Sequence, residues 1–402
     1  MPNILKKRGT IAILTGGGDV PGLNPAIRAI TVRALREGYR VLGIRRGWAG
    51  LIEVDRDHPE HDPDCVLELT EEIVNKIGRT GGTFLHTSRT RPSHVPQANV
   101  PVHLRERYAG EMNDLTPEVL ANIGHLGIDI LIPIGGDDTL SYGVRLHREG
   151  VKVIAIPKTM DNDVPGTDYC IGFSTCVTRT IEMTHALRTS AGSHERFLVI
   201  EVFGRYAGFT ALLPTMAGAA NRCVIPEHPF DIELLTELMV ADRATNPSKY
   251  SVVLVSEGAK IAGMSEMVFS GQEADAYGHK KLGGIGDVIS ERLKVLSPKF
   301  AGGRRINAIN QRLGYLVRCG DPDALDSIVP MAFGNLALDL ILTGVSGRLV
   351  NVRNGRYDNV PIDVVTSRKK VVDTGKHYLS ERLRPKYENF ENKPVFIMTS
   401  DF

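Results

Sequence analysis

Residues 128–156 read IDILIPIGGDDTLSYGVRLHREGVKVIAI, and this stretch decides the fold. Two runs rich in Ile and Val, Ile128–Ile134 and Val151–Ile156, flank a helical pattern at Thr139–Glu149. Two glycines directly follow the first run, and Gly150 ends the helical pattern as a typical C-terminal glycine. Strand, glycine turn, helix and strand in this order predict a βαβ unit, which is the building block of a parallel sheet.

The same order of elements is predicted in both directions from this unit. Upstream, the run Thr10–Thr15 ends in three glycines, Asn24 is placed to cap a helix, and a second strand follows at Arg40–Ile44. Downstream, Phe197–Phe203 and Tyr250–Val255 are further strands, and a helical pattern covers 322–357. The chain is therefore predicted to have an α/β fold with helices on both faces of a parallel sheet.

Length and composition exclude several classes of protein. The chain has 402 residues, which at about 150 residues per domain indicates two to three domains. Hydrophobic residues make up 42% and charged residues 24%, so bulk disorder is excluded. Lys and Arg number 48 against 47 Asp and Glu, for a net charge of +1, so neither nucleic acid nor an anionic membrane is an expected partner.

The cysteines and the apolar runs indicate the compartment. An odd number of cysteines with no C-x-x-C pair favours reduced thiols over a disulfide framework or a zinc site. The apolar run near the N-terminus is too short for a signal peptide, and no uninterrupted apolar stretch approaches about 18 residues. We therefore expect a cytoplasmic protein without a membrane segment. The cysteines are Cys65, Cys170, Cys176, Cys223 and Cys319.

Glycine-rich or polar loops follow four of the predicted strands. Ligands of parallel sheets bind at the carboxyl ends of the strands, where loop amides and helix N-termini favour an anion. A single glycine turn is also explained by tight packing, but four such loops in one chain favour a phosphate site. The loops are Gly16–Asp19, Gly135–Asp138, Pro157–Asp163 and Phe203–Arg205.

Acidic and basic side chains in and near these loops suggest the chemistry. Four carboxylates would repel a bare phosphate, so a cation between them is expected, and Mg²⁺ fits best. One carboxylate of the Asp-Asn-Asp triplet could accept a proton from a hydroxyl, although such triplets are also ordinary turns. Arginines bind phosphate bidentately, although each one alone is equally typical of a solvated surface. These residues are Asp137, Asp138, Asp161, Asp163, Arg89, Arg196, Arg205 and Arg318.

Eight ordered motifs resemble the phosphofructokinase family, and the resemblance extends from the first strand to about Arg348. The resemblance implies two similar three-layer α/β domains with mainly parallel sheets and an active site in the cleft between them. It assigns 1–170 plus about 320–365 to the phosphate donor, and 171–319 plus the C-terminal tail to the sugar phosphate. The motifs are TGGGDVPGLN 15–24, GWAGL 47–51, GGTFLHTSR 81–89, IGGDDTL 134–140, PKTMDNDVPGTDYCIGFSTC 157–176, VFGRYAG 202–208, SEG 256–258 and LGYLVRCGDP 313–322.

The resemblance implies phosphoryl transfer from a donor to the 1-hydroxyl of fructose 6-phosphate. Asp161 matches the base and Asp163 its supporting carboxylate, and Asp137 matches the aspartate linked to Mg²⁺. Arg205 and Thr159 match groups that contact the transferred phosphoryl. Gly17 and Arg89 match contacts of the donor phosphate.

The sugar-phosphate pocket is implied in the same way, and one of its arginines is expected from a neighbouring subunit. Sites shared in this manner imply a homodimer or a homotetramer. Arg196 matches the residue from the neighbour, whereas Arg312 cannot be aligned securely with a second arginine of the pocket. The remaining pocket residues are Phe203, Gly204, Glu257, Tyr315 and Arg318.

Two positions bear on the donor. Family members that use ATP commonly have glycine where Asp138 stands, and many have glycine where Lys158 stands. Pyrophosphate-using members have Asp and Lys there, since an aspartate adds bulk and negative charge where a third phosphate would pass. The pair favours pyrophosphate, with ATP as the alternative donor and sedoheptulose 7-phosphate as an alternative acceptor. More distant alternatives are a lipid or NAD kinase and an inactive regulatory subunit.

Overall fold

A computed structural model describes residues 8–264, 269–274, 280–388 and 390–391. The start of the chain, examined above for a signal peptide, lies largely outside these ranges. The strand-like run PVFIM at 394–398, predicted at the C-terminal end, also lies outside them.

The chain forms two compact units, and their segments alternate along the sequence. Unit 1 comprises the chain up to Thr159 together with Val164–Gly172 and Cys319–Lys369. Unit 2 comprises Met160–Asp163, Phe173–Arg318 and the chain from Lys370 onward. The four residues Met160–Asp163 therefore belong to unit 2, although unit 1 segments lie on both sides of them.

Unit 1 is built on a seven-stranded sheet with the order β15-β14-β7-β6-β1-β2-β3. Its central strands are parallel, and antiparallel strands lie at both edges. The elements of unit 1 are β1 Gly9–Thr15, α1 Leu23–Arg36, β2 Tyr39–Ile44, α2 Trp48–Glu53, α3 Asp62–Cys65, β3 Val66–Glu68, α4 Glu71–Asn75, β4 Val95–Pro96, β5 Met112–Asn113, α5 Thr116–His125, β6 Ile130–Gly135, α6 Asp137–Arg148, β7 Ile154–Pro157, α11 Leu325–Leu342, β14 Arg348–Arg353 and β15 Arg356–Pro361.

Unit 2 has a four-stranded parallel sheet with the order β13-β8-β10-β9, and short antiparallel pairs lie outside it. The α/β fold with parallel sheet centres is confirmed, although the two sheets differ in size. The elements of unit 2 are α7 Phe173–Ser193, β8 Phe197–Val202, α8 Phe209–Met216, β9 Arg222–Val224, α9 Ile232–Thr245, β10 Ser251–Ser256, β11 Phe269–Ala274, β12 Lys280–Leu282, α10 Ile285–Phe300, β13 Ala308–Arg312, α12 Thr374–His377, β16 Tyr378–Leu379 and β17 Arg384–Pro385.

The core of unit 1 lies against both faces of its central strands, where Ile11 to Leu14 of β1 are fully buried. Helix α11 packs on α1 so closely that a Cβ at Gly334 would lie 3.0 Å from the Cβ of Ala29. Among the described helices, α11 alone is long and apolar enough to cross a membrane by length and composition. Its buried face, which includes Phe333, is part of this core.

Two local predictions were wrong. Gly22, not Asn24, is the N-cap of α1, because the Asn24 side chain donates to the Thr80 and Gly81 carbonyls and accepts from the Phe84 amide. Residues 348–357, predicted to continue a helical pattern, form most of the β14–β15 hairpin instead.

Candidate active site

The glycine-rich loops of unit 1 meet at one edge of its sheet. Strands β7, β6 and β1 are parallel neighbours in that order, so their carboxyl ends lie side by side. The loops that follow are 16–19, 135–138 and the chain from Lys158, as the sequence predicts. We call Gly16–Gly18, Asp137, Asp138 and Lys158 the glycine-loop cluster.

Two glycines let helix α6 begin close to the sheet. A Cβ at Gly16 would lie 2.5 Å from Oγ1 of Thr139, and a Cβ at Gly135 would lie 2.4 Å from its Cβ. Thr139 is buried in the first turn of α6. Because neither position has room for a side chain, the amides at the start of α6 lie directly beside the end of β1.

A buried lysine lies against the second glycine of the β1 loop. Gly17 has a φ of +79°, and a Cβ there would lie 3.3 Å from Nζ of Lys158. The same ammonium donates to the Gly18 carbonyl at 2.6 Å, and Lys158 is only 4% exposed. The structure therefore places a lysine charge beside the loop amides, where it is positioned to meet an anion.

The segment that leads to Arg89 is bound to the same loop. The Gly17 amide donates to the Ser88 carbonyl at 2.9 Å, and the Thr87 hydroxyl donates to the Gly17 carbonyl at 2.7 Å. Arg89, which follows directly, is exposed. These bonds bring Arg89 to the glycine-loop cluster.

The second aspartate of the cluster is paired with an arginine that the sequence analysis missed. Nη2 of Arg91 donates to Oδ1 of Asp138 at 2.6 Å, and the two side chains are 46% and 56% exposed. An exposed pair of this kind contributes about 0–1 kcal/mol to stability. A signal was present, because Arg91 stands only two residues after Arg89 in the motif that continues as SRTRP.

Asp137 suits a divalent cation whose other coordination positions are filled mainly by phosphate oxygens and water. Its Oδ1 accepts the amide of Asp138 at 2.9 Å, and its Oδ2 has no hydrogen-bond partner among the described residues. No group of three or more Asp, Glu, His or Cys that could hold a metal was found in the described ranges. Mg²⁺ commonly binds through one or two carboxylates and completes its shell with phosphate oxygens and water, which this arrangement allows.

Unit 2 gathers carboxylates at the carboxyl edge of its own sheet. We call Asp161, Asp163 and Glu257 the carboxylate cluster; Arg205 lies beside it. The Arg205 amide donates to Oδ2 of Asp161 at 3.4 Å. Asn162 is buried with a φ of +55°, so the Asp-Asn-Asp triplet forms a turn.

Burial changes the protonation of this cluster. Burial, together with the charges of Asp163 and Glu257, raises the pKa of Asp161 well above its usual range. Burial also raises the pKa of Glu257 to about 7, with Arg205 opposing the shift and Glu201 adding to it. A carboxylate with a raised pKa is a stronger base, which suits proton transfer from a hydroxyl.

Backbone contacts fix the loop of Glu257 against the loop of Arg205. The Glu257 amide donates to the Val202 carbonyl at 2.9 Å, and the Gly258 amide donates to the Gly204 carbonyl at 3.1 Å. A Cβ at Gly258 would lie 2.0 Å from the Arg205 carbonyl oxygen, so only glycine fits there. The loop glycines thereby hold the Glu257 carboxylate near the Arg205 guanidinium.

The Arg318 guanidinium, a second cation of unit 2, lies close to two aromatic rings. The Arg318 guanidinium lies 5.8 Å from the Phe203 ring centre and 5.5 Å from that of Tyr315. Arg318 is 7% exposed, whereas Tyr315 is 70% exposed. Contacts of this kind restrict the orientation of the planar guanidinium.

Two predicted arginines do not join these groups within one chain. Arg196 precedes β8, whereas Phe203 and Arg205 follow it, so the length of the strand separates them by about 20 Å. Arg312 pairs with Asp287 and lies 3.7 Å from Glu201, so its charge is already engaged by two carboxylates. Thr159, the remaining predicted residue, directly follows Lys158 and is half-buried.

Glu201 is a buried carboxylate beside the carboxylate cluster that the sequence analysis did not single out. Its carboxylate, 5% exposed, accepts the amides of Gly284 and Gly286 at the start of α10. It also raises the pKa of Glu257. A signal was present, because a single glutamate within an otherwise apolar strand is buried only when its carboxylate is hydrogen-bonded.

Comparison with known proteins finds one family over most of the chain. A sequence model described as Phosphofructokinase matches residues 10–341. A "Pyrophosphate--fructose 6-phosphate 1-phosphotransferase" of Dictyoglomus thermophilum is 35% identical over 365 residues, covering 90% of this chain and 95% of the relative. An "ATP-dependent 6-phosphofructokinase 3" of Streptomyces coelicolor is 36% identical, covering 90% and 96%.

Solved structures share the fold at lower identity. A pyrophosphate-dependent phosphofructokinase of Nitrosospira multiformis has a TM-score of 0.72 at 17% identity, covering 98% of this chain and 93% of that one. Phosphofructokinase of Saccharomyces cerevisiae has a TM-score of 0.69 at 23% identity, covering 89% of this chain and 45% of that one. Because relatives with both donors are about equally similar in sequence, overall identity does not separate the two.

Proposed function

The chain belongs to the phosphofructokinase family of phosphotransferases, and on that premise we propose that it uses pyrophosphate. The proposed reaction is the reversible, Mg²⁺-dependent transfer of a phosphoryl group from pyrophosphate to the C1 hydroxyl of fructose 6-phosphate, a step of glycolysis. The donor assignment rests on one observation. A carboxylate, Asp138, stands at the start of α6, while Lys158 lies against the β1 loop.

The charges of these two residues favour a short donor. Lys158 supplies a compact positive charge that suits the end of pyrophosphate. With this assignment, a donor with three phosphates would extend towards the Asp138 carboxylate, which would repel the additional negative charge. Both effects favour pyrophosphate over ATP.

We assign donor binding to unit 1 and sugar-phosphate binding to unit 2. Gly17, Arg89 and Lys158 would bind the donor phosphates, and Asp137 would hold Mg²⁺, which neutralises phosphate charge when bound. Asp161 would take the proton of the C1 hydroxyl, with Asp163 supporting it. The hydroxyl oxygen then bonds to the terminal phosphorus, the bridging P–O bond breaks, and its electron pair leaves with orthophosphate.

The remaining predicted residues would bind and position the sugar phosphate. Arg205 and Thr159 would contact the transferred phosphoryl group, and Glu257 would accept a sugar hydroxyl. The stacked Arg318, with Tyr315 and the Phe203–Gly204 loop, would bind the 6-phosphate. Arg196 would come from a neighbouring subunit of a homodimer or homotetramer in the cytoplasm.

A coupled assay with purified protein tests the donor. Fructose 6-phosphate and Mg²⁺ are supplied with pyrophosphate or with ATP in separate reactions, and fructose 1,6-bisphosphate is measured. We expect turnover with pyrophosphate and at most trace turnover with ATP. Turnover with ATP alone would contradict the donor assignment and leave the acceptor assignment standing. Sedoheptulose 7-phosphate, run in parallel, measures the acceptor range.

A second candidate, the ATP-dependent reaction, is favoured by the relatives named for ATP at the same identity. The two candidates differ in what Asp138→Gly does. If pyrophosphate is the donor, this substitution raises the ratio of ATP to pyrophosphate turnover by about tenfold or more, because one repulsive charge is lost. If ATP is already the donor, the ratio changes little. Asp138→Asn separates the contribution of charge from that of size.

A further inference from the structure

We propose that Arg91 determines donor specificity together with Asp138: its guanidinium is a latent phosphate-binding group that the Asp138 carboxylate occupies. The inference rests on the proposed assignment of the glycine-loop cluster to the donor. It goes further, because it attributes the exclusion of a third phosphate to the ion pair of Arg91 with Asp138 and not to Asp138 alone. Asp138 both repels that phosphate and removes the cation that would bind it.

The geometry of the pair carries the proposal. Nη2 of Arg91 lies 2.6 Å from Oδ1 of Asp138, at the first turn of α6. Among the described residues, the Arg91 guanidinium has no partner other than this carboxylate. A phosphate oxygen accepts from a guanidinium in the same geometry as a carboxylate oxygen. If the Asp138 side chain is removed, its place is open and the Arg91 guanidinium can reach a phosphate oxygen there.

The position of Arg91 is set by the chain around it. Thr87 and Ser88, shortly before it, are bonded to Gly17 in the β1 loop. The Arg91 carbonyl accepts the amide of His94 at 2.9 Å, so a turn fixes the chain after it as well. Arg91 is therefore held beside the glycine-loop cluster whether or not Asp138 is present, and loss of the carboxylate leaves the guanidinium near the donor loops.

The test measures binding of two inorganic probes by calorimetry in the presence of Mg²⁺. Pyrophosphate carries two phosphates, and tripolyphosphate adds the third without any nucleoside. Four full-length proteins are compared: wild type, Asp138→Gly, Arg91→Gln and the double variant. We expect Asp138→Gly to tighten tripolyphosphate relative to pyrophosphate by about tenfold to a hundredfold, the range of a charged hydrogen bond. Arg91→Gln should abolish that gain in the double variant.

In the wild-type background, Arg91→Gln should weaken tripolyphosphate by much less than it does beside Asp138→Gly, because there it removes no phosphate contact and only exposes the charge of Asp138. The double variant with Arg91→Lys and Asp138→Gly should keep part of the gain in tripolyphosphate affinity, since lysine keeps the positive charge but lacks the forked guanidinium. A matched control is the exposed pair of Arg40 with Glu68, at 2.9 Å and 43% and 59% exposed. Arg40→Gln and Glu68→Gly should leave the affinity for both probes unchanged.

The outcomes separate this proposal from the donor assignment. If Arg91→Gln weakens tripolyphosphate equally with and without Asp138, the residue acts only through its long-range charge and the proposal is overturned. If the wild type turns over ATP and not pyrophosphate, the donor assignment fails, while the coupling between the two substitutions still decides the role of Arg91. Should Asp138→Gly not fold, Asp138→Asn gives the same comparison with the carboxylate neutralised.

Discussion

The glycine-loop cluster of unit 1 and the carboxylate cluster of unit 2 handle charge in opposite ways. In unit 1, Asp138 and Arg91 are both about half exposed, so their charges are solvated and paired at little energetic gain. In unit 2, Asp161 and Glu257 are buried enough that the pKa of each is raised. Exposed charges can be exchanged without disturbing the fold, whereas buried carboxylates are costly and suit proton transfer.

The largest expected effect comes from removing the proposed base of the carboxylate cluster. Asp161→Asn should lower kcat by about 10²–10⁴-fold, the usual contribution of general base catalysis, while the affinity for fructose 6-phosphate changes little. Steady-state kinetics and sugar-phosphate binding measure the two quantities. The matched control is Glu227, a half-buried carboxylate of unit 2 that also has a raised pKa and accepts the Gly208 and Val372 amides outside the cluster. Similar kcat losses in both variants would contradict the assignment.

A smaller effect is expected from the stacked cation of unit 2. Arg318→Ala should raise KM for fructose 6-phosphate by about tenfold to a hundredfold, because one charged hydrogen bond to the 6-phosphate is lost. Arg318→Lys keeps the charge but cannot stack or form a fork, so it should recover only part of the loss. Full recovery with lysine would mean that charge alone matters and that the rings of Phe203 and Tyr315 do not orient the group.

The smallest expected effect is a gain in stability when Glu257 is replaced, and its size depends on pH. The folded state raises the pKa of Glu257 to about 7, so folding binds a proton between the unfolded pKa and this value. Stability is therefore lost as pH rises through that window. Glu257→Gln should raise the free energy of unfolding by roughly 1–3 kcal/mol at pH 8, and by almost nothing at pH 4. Denaturant titrations at both pH values measure this, and an equal gain at pH 4 would exclude a protonation effect.

Local patterns predicted much of the fold and part of the site. Runs rich in β-branched residues located β1, β6, β7 and β8, and glycines follow all of these strands except β7; such signals depend on neighbouring residues alone. The β14–β15 hairpin was missed although Asn354-Gly355, with φ of +51° and +73°, is a strong hairpin signal. A helical pattern was extended across it instead.

Other features depend on contacts that a local pattern does not contain. Asn24 has the right chemistry for a helix cap, but its side chain binds residues 80–84, far along the chain, and those bonds prevail. The pairing of Arg91 with Asp138 joins two loops 47 residues apart. Arg205 and Glu257 likewise come together only because β8 and β10 are paired, and Asp161 joins them through the Arg205 amide. Their roles were suggested by family resemblance, not by spacing.

The length of β8 bears on whether two inactive variants can complement each other. Arg196 and Arg205 stand at its two ends, about 20 Å apart along the strand. If Arg196 comes from a neighbour, inactive Asp161→Asn chains and inactive Arg196→Ala chains should complement each other. In a dimer that mixes them, one site carries both lesions and the other carries none. Random mixing would then restore about a quarter of wild-type activity from two dead proteins.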